Sequence, residues 1–317
     1  MLPDEMRELA ALNERLHAVF AAAGYGEVRT PAIEYEEVLR RGDDRAAGAS
    51  FRLFDGSGRV LALRSDTTIP IARLVASRYA DAPMPLRLCY FDNAYRPAQP
   101  GRGQASEFMQ AGVELIGAPA PEGDVEVIAL VLEALDAAGL GRHRIGLGDG
   151  SLYRRLLASF EVPADERAVL LDFLSRRDLV GLEAHVDSLS LSPTARDALV
   201  GVPALRGGAE ILETDVQPVR VALEGLRACY ESLVRRGAGD RVILDLGLVR
   251  ELGYYTGVVF EIYDPAVGFA LGGGGRYDEL LGRFGRVLPA CGVALDVQRV
   301  HTAMLEEERL AARGDVA

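Results

Sequence analysis

Residues 86–117 read LRLCYFDNAYRPAQPGRGQASEFMQAGVELIG, two largely apolar stretches around a polar segment rich in glycine and proline. This predicts two strands joined by a long, arginine-bearing loop. Strand side chains alternate, so Phe108, Gln110, Gly112 and Glu114 share one face of the second strand, and Met109, Ala111, Val113 and Leu115 share the other. The apolar face is expected to pack into a core. The opposite face carries an amide and a carboxylate about 13 Å apart, with open backbone expected at Gly112 between them, enough to border a small ligand. The loop from Pro97 to Gln104, with Arg96 at its base and Arg102 near its tip, is placed to close over an anion. A sheet with one wetted face accounts for the same alternation, so the case for a site has to come from the rest of the chain.

At 317 residues the chain suffices for one large domain or two modest ones. With 49% hydrophobic and 26% charged residues it has the composition of a globular protein. A net charge of −12 argues against non-specific binding to nucleic acid or anionic membranes. Cys89, Cys229 and Cys291 are few and far apart, and His17, His143, His185 and His301 are scattered, so neither a disulfide framework nor a metal site is expected. Every basic residue is arginine. The absence of lysine excludes a Walker-type phosphate lysine and a Schiff-base mechanism. The first residues, MLPDEMRELAALNERL, are charged and amphipathic rather than a signal peptide. The apolar runs are too short for a membrane span. A cytoplasmic location is expected.

Helical spacing of Met6, Leu9, Leu12, Leu16, Val19 and Phe20 predicts a helix over 4–23, stopped by Gly24. The extended segment EVRTPAIEY follows, and Pro31 suits it to an edge or an interface. Residues 51–64 read as a hairpin turning at Asp55-Gly56-Ser57-Gly58. Ser65-Asp66-Thr67-Thr68 reads as a helix start, in which Asp66 serves equally well as an N-cap or as a site residue. Another helix is expected over 125–138 and short strands over 143–147 and 242–245, with a mainly helical stretch over 151–236 between them. Two candidates follow, LVRELGYYTGVVFEIY (248–263) and FALGGGGRYD (269–278). The four-glycine run fits neither a dinucleotide fingerprint nor a P-loop. It fits equally a close strand crossing or a backbone left bare for a ligand.

The ordered set GYGEVRTPAIEY, LRSDTT, FMQAGVELIG, LVRELGYYTGVVFE, GGGGRYDEL and CGVALDVQR resembles the class II aminoacyl-tRNA synthetase catalytic domain, specifically the histidyl group. The resemblance implies an α+β fold, an antiparallel sheet flanked by helices. It places the synthetase-like domain at 1–150 and 237–317 and a helical insertion at 151–236. It also implies a histidine site, with Asp66 (where the family usually has Glu) and Thr68 holding the amino group. Gln110 and Glu114 would lie along the ligand, and Tyr254 and Tyr255 would border its imidazole; Arg250 matches the histidyl-group arginine. Arg96 and Arg299 match the arginines of motifs 2 and 3 and, with Arg102, would be the phosphate contacts.

The nucleotide half departs from the pattern. Ala98 stands at the adenine-reading Glu, Ser106 at a loop arginine, Gly253 at the Asp before the tyrosine pair, and Asp296 at a motif 3 glycine. A carboxylate about 5 Å from a triphosphate, at an effective dielectric near 20, costs roughly 3 kcal/mol. The given sequence ends in HTAMLEEERLAARGDVA soon after motif 3, so no anticodon-binding domain is expected. A histidine pocket without that domain resembles the regulatory subunits of ATP phosphoribosyltransferase, the HisZ family. That implies a non-catalytic chain without a cofactor, partnered by a short-form catalytic subunit in the first step of histidine synthesis and mediating feedback by histidine. It also implies a homodimer core paired through residues 28–35. The alternative is a truncated synthetase-like enzyme that activates histidine with ATP.

Overall fold

The computed structural model describes residues 1–43, 50–79, 81–97, 105–214, 216–250 and 253–313. They form two compact units, one of residues 1–143, 252–254 and 262–317, the other of 144–251 and 255–261.

The first unit begins with helix α1 (Pro3–Ala22), whose buried Leu9, Leu12, Leu16 and Phe20 lie at helical spacing and form its inward stripe. Gly24, at φ +82°, ends it. Strands β1 (Gly26–Glu27) and β2 (Ile33–Tyr35) follow, then α2 (Glu36–Gly42), the hairpin β3 (Arg52–Phe54) and β4 (Val60–Leu63), and α3 (Thr68–Arg78). The central hairpin is β5 (Leu86–Tyr95) and β6 (Glu107–Ile116), followed by α4 (Glu122–Ala138). Of the later chain this unit holds β11 (Ala270–Arg276), β12 (Ala290–Asp296) and α10 (Val297–Arg313).

Its main sheet runs β1-β5-β6-β12-β11, and β2-β4-β3 form a separate small sheet. β1 lies parallel to β5, so the sheet is mixed rather than wholly antiparallel. α4 packs against α1 and β12. It buries Val127, Ile128, Val131 and Leu135 completely. Full burial contributes roughly 1.5–3 kcal/mol per such side chain, which makes the packing of α1 and α4 the main support under the sheet.

The second unit contains β7 (Arg144–Asp149), helices α5 (Leu152–Ser159), α6 (Ala164–Ser175), α7 (Leu179–Ser188), α8 (Pro193–Ala204) and α9 (Arg220–Arg235), and strands β8 (Arg206–Gly207) and β9 (Val242–Asp245). Most of β10 (Val258–Tyr263) belongs here too, and the strand order is β10-β7-β9-β8. β7 and β9 are parallel. The helices are amphipathic, α9 most clearly, with Leu223, Leu226, Cys229 and Leu233 buried along one side.

Candidate functional site

The register of the first unit fixes which groups meet. In the rows across β5, β6 and β12, Glu114 sits between Leu88 and Gly292, Gly112 between Tyr90 and Ala294, and Gln110 between Asp92 and Asp296. β11 continues the rows, pairing Gly275 with Gly292 and Gly273 with Ala294. Paired residues share a face, so Gln110, Gly112, Glu114, Gly273, Gly275 and Gly292 lie on one side. A Cβ on Gly292 would collide with the Glu114 carboxylate, so this glycine makes room for the acid. The open space expected over Gly112 is not there. A Cβ on it would strike the Tyr90 ring, which fills that volume. Gly272 presents the other case, since its Cβ would meet the backbone of Ala294 and Leu295 on the neighbouring strand.

This face is also not wetted. Glu114 is 1% exposed and Gln110 5%. Thr68, in the first turn of α3, donates from Oγ1 to Glu114 Oε1 at 2.7 Å. Thr67 Oγ1 donates to Gln110 Oε1 at 3.2 Å, which orients the amide. Tyr277, just beyond β11, donates its hydroxyl to the other Glu114 oxygen. The Tyr254 ring meets Tyr277 edge-on, with centroids 5.7 Å apart. Burial pushes the Glu114 carboxyl up to about 8, against the lowering effect of the Tyr277 and Thr68 hydroxyls.

Of the two roles its sequence position allows, the structure shows Asp66 in the cap. Its Oδ1 accepts from the backbone N of Ile69 at 3.1 Å, capping α3. Its Oδ2 is buried and has no hydrogen-bond partner. Burial raises its proton affinity, assisted by Asp43, while the Ile69 amide and Arg96 act the other way. The Asp66 loop is anchored by buried Arg64, which donates to Thr30 O (2.7 Å), Thr30 Oγ1 (3.0 Å), Asn93 O (2.8 Å) and Asp92 Oδ2 (3.1 Å).

The candidate phosphate arginines are engaged within the chain. Arg96 donates from Nε to Ser65 O at 2.9 Å and lies over the Phe108 ring. Arg299 pairs with Asp296 at 3.2 Å, donates to Ala270 O at 2.9 Å and lies over Phe269. Asp296 also caps α10 by accepting from the Arg299 backbone N. Arg102 and Ala98 lie outside the described residues.

Arg250 and Tyr255 fall in the second unit. There Arg250 pairs with Glu261 at 3.3 Å, an acid shared with Arg177, and Tyr255 is buried with its carbonyl accepting from Arg154. The structure thus brings Asp66, Thr68, Gln110, Glu114 and Tyr254 into the first unit. Three participants carry no assigned role in the sequence reading. Tyr277 lies in the quoted GGGGRYD stretch. Thr67 lies inside the helix-start motif. Asp43, which accepts from Gly253 N at 2.7 Å, has no local signal at all. Among the described residues, no group of acidic, histidine or cysteine side chains is arranged to hold a metal ion.

Chemically, the first unit offers two buried carboxylates, Asp66 and Glu114, that form no ion pair with a described residue, a fixed amide, the hydroxyl donors Thr67, Thr68 and Tyr277, and an aromatic wall. That suits a small ligand carrying an ammonium group and a flat ring.

Comparison with known proteins identifies the family. Residues 1–300 match the family described as histidyl-tRNA synthetase. The ATP phosphoribosyltransferase regulatory subunit of Symbiobacterium thermophilum is 44% identical, over 98% of this chain and 79% of that protein. Its counterpart in Moorella thermoacetica is 39% identical, over 100% and 81%. A crystal structure of an ATP phosphoribosyltransferase regulatory subunit/histidyl-tRNA synthetase from Bacillus halodurans superposes with TM-score 0.88 at 37% identity, over 96% of this chain and 80% of that one.

Proposed function

The chain belongs to the ATP phosphoribosyltransferase regulatory subunits within the histidyl-tRNA synthetase family, and from that membership we propose that it is the non-catalytic, histidine-sensing subunit of an ATP phosphoribosyltransferase. It would partner a short-form catalytic subunit, sustain its activity when histidine is scarce and mediate feedback when histidine is abundant. Histidine binds in the first-unit cleft. Its ammonium group meets Asp66, Thr68 and Glu114, and its ring lies by Tyr254 and Tyr277. Feedback then requires only that one arrangement of the complex binds histidine better than the other, the difference in affinity setting the degree of inhibition.

One observation carries this reading: Asp66 and Glu114 are buried without an ion pair to any described residue, whereas Arg96, Arg250 and Arg299 are already held by oxygens of the chain itself. A triphosphate would have to displace those partners. Two assays test the reading. Histidine-dependent exchange of labelled pyrophosphate into ATP is expected to be absent, and rapid exchange would overturn it. Adding the chain to a short-form catalytic subunit is expected to raise phosphoribosyl transfer and make it histidine-sensitive.

The small sheet supports a homodimer. Ile33, Phe51 and Leu53 are exposed on one face, where register also places the half-buried Tyr35, Leu61 and Leu63. A twofold axis would bury this apolar patch against its own copy. No helix among the described residues is long and apolar enough to cross a membrane, which fits a cytoplasmic place for such a complex.

A further inference from the structure

Asp66 and Glu114 present an unusual charge problem. Both are almost fully buried, and neither makes an ion pair with any described residue. Glu114 is held by two hydroxyl donors, Thr68 and Tyr277. Asp66 has one oxygen on the Ile69 amide and the other without a partner. The remaining ionisable groups facing them do not supply a counter-ion. Asp43 acts on Asp66 as a further negative charge, and Arg96, a cation near it, forms no ion pair with it and donates its Nε to Ser65 O. Burial pushes the Tyr277 hydroxyl, on the Glu114 face, far above its ordinary range, and does the same to the Cys291 thiol, which register places on the opposite face with Leu115.

We propose that this cleft exchanges a proton for the ammonium group of its ligand: Glu114 meets the ligand as a neutral acid and gives up its proton to solvent as the cation docks. The inference rests on the reading of the cleft as a histidine site and adds to it a coupling between occupancy and pH. The step balances. The Glu114 O–H bond breaks, the proton leaves to buffer, and the carboxylate becomes an acceptor for the ligand's N–H groups.

Its size follows from the surroundings. With its carboxyl at about 8, Glu114 is mostly protonated at neutral pH. A unit cation about 4 Å away, at an effective dielectric near 20, lowers proton affinity roughly a thousandfold. That is enough to ionise Glu114 in the complex at pH 7, so nearly one proton is released per ligand. Histidine affinity accordingly rises about tenfold from pH 6.5 to 7.5 and levels off above about pH 8.

The test is calorimetric titration of the full chain with L-histidine at pH 7 in phosphate and in Tris, whose ionisation heats differ. The wild-type protein is expected to release close to one more proton than Glu114→Gln. The comparison cancels titration of the ligand's own imidazole. Should Glu114→Gln fail to bind, Tyr277→Phe serves instead, because it keeps the acid but removes a hydroxyl that favours the ionised form. Its affinity is expected to level off at a higher pH than wild type. An infrared band of a protonated carboxyl that disappears on adding histidine gives an independent readout. Equal proton counts in wild type and Glu114→Gln, or an unshifted profile in Tyr277→Phe, would overturn the exchange while leaving the histidine site intact. Absence of histidine binding at every pH would remove the site reading itself.

Discussion

Replacing Glu114 with glutamine should make the protein more stable near neutral pH. The glutamine carbonyl oxygen can accept from Tyr277, and its amide group can donate to Thr68 Oγ1, so both hydrogen-bond partners of the acid stay satisfied. What is removed is the cost of holding a buried acid protonated at a pH where the unfolded chain has lost that proton. Burial raises the folded carboxyl to about 8, against an ordinary value of 4.5 for the unfolded chain. Below pH 4.5 both states are protonated, and the stability associated with the neutral acid is fully present. As pH rises toward 8 the unfolded chain has already lost its proton and the folded chain has not, so stability falls by about 1.4 kcal/mol per unit. At pH 7 the accumulated cost is roughly 3 kcal/mol. Urea unfolding of both proteins without histidine, at pH 5.5 and 7.5, measures it. The advantage of Glu114→Gln should widen by about 1.4 kcal/mol per pH unit over that range. A difference between the two proteins that does not change with pH refutes the reasoning, whatever its size.

Arg64→Met leaves Asp92 buried without its inner partner, and the lost pair should cost roughly 3–5 kcal/mol in urea unfolding. Because Arg64 anchors the Asp66 loop, histidine binding should weaken at the same time, and a variant of wild-type stability would contradict the anchoring role. Phe51→Asp places a charge on the apolar face of the small sheet and should convert the proposed dimer to monomer by light scattering, with the circular dichroism spectrum unchanged. Asp296→Ala removes the cap of α10 and should cost about 0.5–2 kcal/mol, read as a lower urea midpoint.

The parts of the fold that could be read from sequence are those set by local periodicity. Alternation located β5 and β6 and put Gln110 and Glu114 on one face. Helical spacing located α1 and α4, and capping chemistry placed Asp66 and Thr68 at the start of α3. What escaped depends on register and long-range closure. That Tyr90 fills the space over Gly112 follows from which β5 residue pairs with it, and alternation says nothing about that. Tyr277 reaches Glu114 across 163 positions, and Asp43 reaches Gly253 across 210. The first contact follows from the strand order β6-β12-β11, and the second joins a helix end to a turn, so neither has a local signal. Tyr254 and Tyr255 read as a pair, yet they fall in different units, a division that adjacency in the sequence cannot show.

The electrostatics of the first unit also set a direction of ligand preference that can be measured. A buried carboxylate without a cation is a standing cost, so an arriving ammonium group recovers free energy the fold has already spent. Arg96 and Arg299 are in the opposite condition: each already has an internal oxygen and an aromatic face, so an arriving anion must undo those contacts before gaining its own. In one calorimeter cell, then, histidine should bind while pyrophosphate at the same concentration gives no saturable heat. The order should persist as salt is raised, because the carboxylates are buried and weakly screened. Tight pyrophosphate binding would mean that the Asp296 and Ser65 contacts yield readily to a polyanion, and the electrostatic case for a cleft that senses an amino acid without activating it would then fail.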